Sequence, residues 1–247
     1  MNNILKKIID NKVNKVKEYK KKYTNSQIFE NIKNNNTFVD FRTKLKERDT
    51  LGDLSIIAEI KKSSPSAGLI VKDFDHVNIA SSYIENGAQF LSVLTEEDFF
   101  LGKLEYISDI KKKHRIPILC KDFFVDTFQV GLAKSFGADC ILIILSAVDE
   151  GLAKDIYQAA NEFKISTIVE VHTAAEAEQA LKFENSLIGI NNRNLDTLKV
   201  SLNTTVDLVG IVDAHKHPLI CESGINSVDD IENIIVDSGI YNFIIGE

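Results

Sequence analysis

Long apolar runs are missing from this sequence, and that absence excludes several classes of protein. No run approaches the roughly 20 residues needed to cross a membrane. The N-terminal stretch "MNNILKKIIDNKVNKVKEY" also lacks the apolar core and small-residue cleavage site of a signal peptide. We therefore expect a cytoplasmic protein with no membrane partner.

Metal-binding patterns are missing as well. The 5 histidines form no HExxH motif, and the 3 cysteines have no CxxC spacing. Cys120, Cys140 and Cys221 each lie in an apolar, strand-like run, which favours buried, reduced thiols. We predict no metal site.

The net charge of -7 is spread unevenly along the chain. Residues 1–50 hold 13 Lys and Arg against 6 Asp and Glu, or +7, which leaves 16 against 30, or -14, for the rest. The lysines alternate with apolar residues at helical spacing: Ile4, Leu5, Ile8, Ile9, Val13 and Val16. This pattern favours an amphipathic helix packed on the acidic body over a nucleic-acid site, which would also need stacking aromatics or a recognition fold. We expect no nucleic-acid partner.

Eight short apolar runs follow residue 50, separated by segments with helical patterning. The runs are 54–60, 90–95, 117–122, 140–145, 166–171, 187–191, 218–223 and 241–246. Such continuous apolarity is typical of strands covered on both faces, as in a parallel sheet. Helices are predicted at 73–86, 126–135, 149–163, 173–182 and 227–237, several ending in a glycine that stops the helix.

Eight strands with crossovers predict an α/β protein with a (β/α)8 TIM barrel rather than an open sheet of five or six strands. Residues 51–247 would form the barrel, and residues 1–50 an N-terminal helical extension of one or two helices with a turn at 34–37. The sequence stops directly after the eighth strand, so we expect the eighth helix to be missing from the given chain, truncated at this point.

Polar residues cluster at the carboxyl ends of the predicted strands, where such barrels carry their active sites. They are Glu59, Lys61, Thr95, Glu96, Lys121, Asp122, Ser146, Glu170, His172, Asn191, Arg193, Glu222, Ser223, Gly224 and Gly246. Glu59 and Lys61 share one face of their strand, as do Asn191 and Arg193, because side chains alternate with a period of two. Charges inside an apolar barrel must be paired or line a wet cavity. A ring of them favours a functional site over a single structural ion pair.

Three loops favour phosphate binding. "SSPSAG" offers hydroxyls and backbone N–H groups after the first strand, while "ESGI" and "IGE" place glycines after the seventh and eighth strands. The last two loops are a common phosphate site in these barrels. We therefore predict a phosphorylated small-molecule substrate.

Six ordered motifs, "AEIKKSSPSAG", "VLTEEDFFLG", "PILCKDF", "IVEVHT", "GINNRNL" and "ESGI", give the chain a strong family likeness. It resembles the indole-3-glycerol phosphate synthase family of tryptophan biosynthesis. The resemblance implies a (β/α)8 barrel with an N-terminal helical segment and neither metal nor organic cofactor. The implied reaction is that of a carboxy-lyase. It closes 1-(2-carboxyphenylamino)-1-deoxyribulose 5-phosphate to indole-3-glycerol phosphate with loss of carbon dioxide and water.

The resemblance also implies four catalytic residues. Lys121 would protonate the ribulose carbonyl during ring closure. Lys61 would hold the substrate carboxylate and help the hydroxyl leave, assisted by Glu59. Glu170 would stabilise positive charge on the anilino nitrogen or remove the final proton. The sequence does not decide which lysine protonates which oxygen.

Further contacts follow from the same motifs. The substrate-binding residues would be Asn191, Arg193, Glu222 and Phe99. The phosphate-binding residues would be Ser64, Ser223, Gly224 and Gly246. Phe99 would cover the aromatic ring of the substrate, although an ordinary loop or core aromatic is an equally good interpretation.

Two positions depart from the family pattern. Glu247 would bring a negative charge close to the phosphate, and Ala67 stands where a charged or polar residue is common.

The alternatives are another phosphosugar barrel, such as phosphoribosylanthranilate isomerase, or a non-catalytic phosphate-ligand binder. An isomerase would use a Cys and Asp pair, which the order Cys120, Lys121, Asp122 offers less naturally, and a binder has no need of so many acids and bases. We expect a monomer.

Overall fold

Eight parallel strands form a closed barrel in the computed structural model, which describes residues 3–35, 37–195, 197–213 and 215–246. The strands, β1 to β8 in chain order, are Ser55–Ile60, Phe90–Leu94, Ile118–Lys121, Cys140–Ile144, Ser166–Val171, Leu187–Asn191, Leu219–Glu222 and Asn242–Ile245. Consecutive strands pair in parallel, and β8 closes the barrel against β1. The predicted (β/α)8 barrel is confirmed, with a strand in each of the eight apolar runs.

Three helices precede the barrel, where one or two were expected: α1 (Asn3–Lys22), α2 (Asn25–Asn34) and α3 (Phe41–Thr50). The buried residues of α1 recur every three or four positions and so form one stripe: Leu5, Ile8, Lys12, Val16 and Tyr19. Its basic residues contact acids of the barrel, with Lys15 Nζ 2.6 Å from Glu97 Oε2 and Lys20 Nζ 2.6 Å from Asp126 Oδ2. Helix α1 therefore packs on the body of the protein.

Crossover helices connect the strands. They are α4 (His76–Glu85), α5 (Glu105–Lys113), α6 (Phe128–Ser135), α7 (Glu150–Glu162), α8 (Ala174–Ala180), α9 (Asn203–Val212) and α10 (Val228–Ser238). The pattern predicts five of these and does not single out α5 or α9. Gly87, Gly137 and Gly239 all have positive φ angles, of 93°, 99° and 71°. The predicted glycine stops are therefore confirmed.

Helix α3 covers the amino-terminal end of the barrel. Phe41 and Leu45 are fully buried, and the Phe41 ring lies 4.8 Å from that of Phe90 at the start of β2. The N–H of Arg42 donates to Oγ of Ser166, the first residue of β5. Since this end is plugged with apolar side chains, a ligand can enter the barrel only from the opposite end.

Side-chain alternation divides the barrel interior into an apolar half and a charged half. In β1, Ile57 and Glu59 point to the same side, and in β5 Ile168 and Glu170 do so. The isoleucines belong to the buried cluster around Phe41, whereas the glutamates lie two residues nearer the carboxyl ends. The strand period thus places the acids at the open end.

Some predictions fall outside the described residues. The predicted turn at 34–37 includes Asn36, which is outside the described residues. The predictions about Glu247 and about a missing eighth helix concern the chain after Gly246, which is outside them as well. The division into two parts at residue 50 stays a prediction. Within the described ranges, no helix is both long and apolar enough to span a membrane.

Candidate active site

A cavity of about 430 Å³ opens at the carboxyl ends of the strands. Eleven of the twelve predicted site residues line it: Glu59, Lys61, Ser64, Lys121, Glu170, Asn191, Arg193, Glu222, Ser223, Gly224 and Gly246. Phe99 is not among the lining residues, whereas its neighbour Phe100 is. The topology therefore gathers residues that are up to 187 positions apart in the sequence, from Glu59 to Gly246.

The charged floor of the cavity is built by alternate strands, which supply one layer of side chains in barrels of this kind. Glu59 comes from β1, Lys121 from β3, Glu170 from β5 and Glu222 from β7. The Lys121 ammonium lies 2.9 Å from Oε2 of Glu170 and also pairs with Oε2 of Glu222. Burial works against its charge, but the carboxylates of Glu170 and Glu222 raise the pKa of Lys121 above that of an ordinary lysine. Lys121 is therefore charged at neutral pH.

The two carboxyl groups around Lys121 differ in their surroundings. Glu170 also accepts a hydrogen bond of 3.1 Å from Nδ2 of Asn191. Burial disfavours its charge, but Lys121 and His172 lower the pKa of Glu170 below the usual range. Burial, opposed by Lys121 and reinforced by the negative charge of Glu170, raises the pKa of Glu222 to about 7. Glu170 is the ionised member of the pair, and Glu222 can exchange a proton near neutral pH.

His172 is a neighbour of Glu170 that the motifs do not assign to the site. Its Nε2 lies 3.2 Å from Oε1 of Glu170, and its Nδ1 lies 3.1 Å from Oε2 of Glu176 on α8. Burial disfavours the imidazolium, yet the carboxylates of Glu170 and Glu176 raise the pKa of His172 to about 9. In the sequence it is one of the polar residues at the strand ends, two residues after Glu170, but no motif gives it a role.

Glu59 and Lys61 form the second ion pair of the cavity, with Lys61 Nζ 2.6 Å from Oε1 of Glu59. Their side chains are 11% and 13% exposed, and both line the cavity. Glu59 lies in β1 and Lys61 directly follows the strand, so the predicted alternation places both side chains on the same face and accounts for the contact. A lysine at the cavity edge can meet an anionic group of a ligand there.

Two glycines make room for these acids. A Cβ on Gly189, in β6, would lie only 2.1 Å from Oε1 of Glu222, and one on Gly246 would lie 2.7 Å from Cβ of Glu59. Any side chain at either position would displace a carboxylate of the floor. Gly189 is absent from the predicted site, although an isolated glycine inside a strand is a recognised signal of a close approach.

One wall of the cavity is apolar. It consists of Ile4, Leu5 and Ile8 of α1 together with Phe100, Phe123, Leu142, Ile144 and Leu195. The loop that carries Phe100 is fixed by Glu96, whose Oε2 accepts the N–H groups of Phe99 and Phe100 at 2.7 and 3.0 Å. A flat aromatic ring fits such a wall. The sequence predicts the apolar stripe of α1, but it does not indicate that Ile4, Leu5 and Ile8 line the cavity.

Serine and glycine loops form another part of the cavity lining. Ser64 lies in a short hairpin, Ser63–Ser64 with Gly68–Leu69, and its Oγ accepts the N–H of Ala67 at 3.1 Å. Ser223 and Gly224 both have positive φ angles, of 65° and 87°. Such a turn is unusual for serine, and strained backbone of this kind clusters at ligand sites.

A buried lysine joins α1 to the end of β3. Lys12 Nζ lies 2.7 Å from Oδ1 of Asp122, the residue after Lys121, and the Lys12 side chain is fully buried. Oδ2 of Asp122 accepts a hydrogen bond of 2.7 Å from Thr95. Helix α1 is therefore tied to the strand that carries the central lysine, a contact that sequence reasoning missed.

Metal ligands do not cluster in the part of the chain that the structure describes: no three His, Cys, Asp or Glu side chains there are grouped to hold a metal ion. The expectation of a site without metal or cofactor stays a prediction.

Comparison with known proteins agrees with the site. The family model described as indole-3-glycerol phosphate synthase matches residues 5–247. The proteins of that name from Acidovorax sp. (strain JS42) and Laribacter hongkongensis (strain HLHK9) are 40% and 39% identical to the chain, over 100% of it and 94% of their own length. The one from Legionella pneumophila (strain Paris) is 44% identical over 84% of this chain and 79% of its own.

Solved structures show the same fold at low identity. An N-acetylmannosamine-6-phosphate 2-epimerase from Clostridium perfringens gives a TM-score of 0.57 at 16% identity, over 78% of this chain and 86% of its own. A phosphoribosylanthranilate isomerase from Thermotoga maritima gives 0.55 at 9% identity, over 78% and 87%. These two likenesses show the fold alone, whereas the family match runs from residue 5 to residue 247 and so includes both the N-terminal helices and the barrel. The chain belongs to the indole-3-glycerol phosphate synthase family.

Proposed function

We propose that the protein closes 1-(2-carboxyphenylamino)-1-deoxyribulose 5-phosphate to indole-3-glycerol phosphate, releasing carbon dioxide and water. The observation that carries this proposal is the partly buried ammonium of Lys121, held between Glu170 and Glu222 in a cavity that also contains a second lysine, Lys61. Ring closure and dehydration each need a proton donor, and the cavity offers two.

The cavity has a suitable surface for each part of this substrate. Ser64, Ser223, Gly224 and Gly246 form the phosphate end. The aromatic ring lies against the apolar wall near Phe100 in place of Phe99, and the Lys61 ammonium holds the ring carboxylate. Asn191 and Arg193 contact the sugar hydroxyls. The N–H of Arg193 donates to Oδ1 of Asn191 at 2.9 Å, which keeps the two residues in one arrangement.

Ring closure begins when the anilino nitrogen pushes electrons through the ring, and the carboxylated ring carbon attacks the ribulose carbonyl. Lys121 donates its proton to the carbonyl oxygen as the new carbon–carbon bond forms. Glu170 stabilises the positive charge on nitrogen. The bond to the carboxylate then breaks, carbon dioxide leaves, and the bonding electrons return to the ring.

Dehydration completes the indole. Lys61, paired with Glu59, protonates the hydroxyl group, which leaves as water. Loss of a proton from the adjacent carbon to Glu170 then forms the last double bond. Proton transfer by positioned groups typically contributes about 10² to 10⁴ in rate, so both lysines matter for turnover.

An isomerase acting through a cysteine is less well supported. The Cys120 thiol is buried and lies 3.3 Å from Oγ1 of Thr95, outside the cavity lining. Burial raises the pKa of Cys120 to about 12, which makes it a poor acid or base near neutral pH.

The remaining parts of the proposal concern location and partners. We infer a cytoplasmic monomer with no nucleic-acid partner. In support, lysines of α1 that could contact phosphates are paired with barrel acids, as in the contacts from Lys12 to Asp122, Lys15 to Glu97 and Lys20 to Asp126.

The test is an indole fluorescence assay with the purified protein, which has no tryptophan and thus a dark background. The parent should form a fluorescent product, and Lys121→Ala should lower kcat at least about 100-fold. Lys154→Ala is the matched control, because Lys154 is exposed, lies outside the cavity lining and pairs with Glu150 on the same helix. Absence of product from the parent, or parental turnover in Lys121→Ala, would contradict the assignment.

A further inference from the structure

His172 lies between two carboxylates, one inside the charged floor and one outside it. Its side chain is 6% exposed, and each ring nitrogen faces one acid: Nε2 faces Glu170 and Nδ1 faces Glu176. Oε2 of Glu176 also accepts the backbone N–H of His172 at 2.7 Å, which fixes the orientation of the ring. Nε2 makes no hydrogen bond among the described residues, so its approach to Glu170 is a charge contact; a ring flanked by two carboxylates favours the doubly protonated, cationic form.

The surroundings of Glu170 and Glu222 are unequal because of this ring. Glu170 has three polar neighbours, namely Lys121, Asn191 and His172. Glu222 has Lys121, and its Oε1 is buried without a hydrogen-bond partner among the described residues. When two buried carboxyl groups share one ammonium, the group with the additional cation keeps the negative charge.

We infer that His172 is a positioning residue that assigns the negative charge of this carboxyl pair to Glu170 and the exchangeable proton to Glu222. The role rests on the proposed function, in which Glu170 stabilises a cationic intermediate and must be ionised. His172 does not touch the substrate, since it is outside the cavity lining. Its effect passes through Glu170.

The pH dependence follows from the groups that face each side chain. His172 is faced by Glu170 of β5 and Glu176 of α8, and Glu170 is faced by Lys121 of β3 and Glu222 of β7. Removing the imidazolium takes away one of the cations that lower the pKa of Glu170, so that pKa rises. Below about pH 7 the pair holds one proton, and part of that proton then moves from Glu222 to Glu170, so the acid limb of the kcat/KM profile moves upward.

The first experiment compares the pH profiles of the parent and His172→Gln, which keeps a polar side chain without the charge. We expect the acid limb to move up by about one pH unit, with activity about tenfold lower on that limb and recovery at alkaline pH. His114→Gln is the control, because His114 contacts Ser81 outside the cavity. Equal loss at every pH, or a profile identical to the parent's, would overturn the inference.

Glu176→Gln provides a second variant that keeps the histidine and the acceptor for its N–H. It should shift the acid limb in the same direction but by less, because the imidazolium loses one of its two carboxylates. In a His172→Gln background the same change should have no further effect. Additive shifts would mean that Glu176 acts independently of His172.

A titration without substrate separates this role from the activity itself. In protein with ¹³C-labelled glutamate side chains, the NMR signal lost in Glu222→Gln should titrate near neutral pH, and the signal lost in Glu170→Gln should stay ionised there. In His172→Gln the two titrations should converge or exchange order. If the parent forms no indole product, the proposed function fails and this titration alone decides the role of His172; unchanged titrations would refute it.

Discussion

Gly189 offers the most direct test of the floor geometry, through the substitution Gly189→Ala. The added Cβ would lie 2.1 Å from Oε1 and 3.1 Å from Cδ of Glu222, where ordinary contact begins at 3.4 Å. The carboxylate oxygen must therefore move by about 1.3 Å, the difference between 3.4 and 2.1 Å. On its other side, Cγ2 of Ile168 at 3.0 Å limits how far the new methyl group can shift instead.

The expected loss is catalytic more than structural. Moving Glu222 breaks its contact with Lys121, and a displacement of about 1 Å in an active site can cost about 100-fold in rate. Overpacking costs about 1–3 kcal/mol of folding free energy, from which the intrinsic gain of alanine over glycine in a strand, about 0.5–1 kcal/mol, must be subtracted. We expect kcat to fall about 100-fold while the protein stays folded.

The assay is steady-state formation of indole fluorescence, with thermal unfolding measured on the same samples. Gly210→Ala is the matched control, because Gly210 lies in α9 with open space where its Cβ would be. That variant should keep parental kcat and gain about 0.5–1 kcal/mol in stability. Parental kcat in Gly189→Ala, or a crystal structure of it with Glu222 unmoved, would refute the reasoning.

Two predictions concern stability. Asp139→Asn leaves the buried Lys111 ammonium without its carboxylate and should lower the free energy of unfolding in urea by about 3–5 kcal/mol. The control is Asp109→Asn, which removes an exposed ion pair with Lys112 and should lower it by less than about 1 kcal/mol. Equal losses in the two variants would contradict this reasoning. Because the folded pKa of Glu222 is raised to about 7, above its unfolded value, its carboxylate lowers stability as pH rises through that window. Glu222→Gln should therefore melt higher than the parent at pH 8 and equally at pH 4, and a lower melting temperature at pH 8 would show that its contact with Lys121 outweighs burial.

Local sequence patterns were enough to predict the barrel and the positions of the polar strand ends. Both follow from local rules: buried parallel strands are apolar throughout, and side chains alternate with a period of two. Glu59 with Lys61 could therefore be placed on one face, and the carboxyl ends of the strands identified as the site. Helix α3 was not predicted as a separate helix, because its buried residues are just Phe41 and Leu45, too few for a clear helical pattern. Their burial depends on the end of the barrel against which they pack.

Which side chains contact one another depends on the folded barrel. Lys121 contacts Glu170 and Glu222, 49 and 101 residues away, because closure of the barrel brings alternate strands into one layer. Local spacing contains no information about such distances. The same holds for Gly189, whose missing side chain matters only because Glu222 fills that space from the neighbouring strand.

Loop residues were the least predictable, because a loop has no period. Nothing in the sequence distinguishes Phe99 from Phe100. In the structure the N–H groups of both residues donate to Glu96, and it is Phe100 that lines the cavity. The face of a strand on which each side chain lies thus follows from covalent geometry along the chain. The partners of each charge, and hence which carboxyl group is ionised, follow from how the closed barrel packs them together.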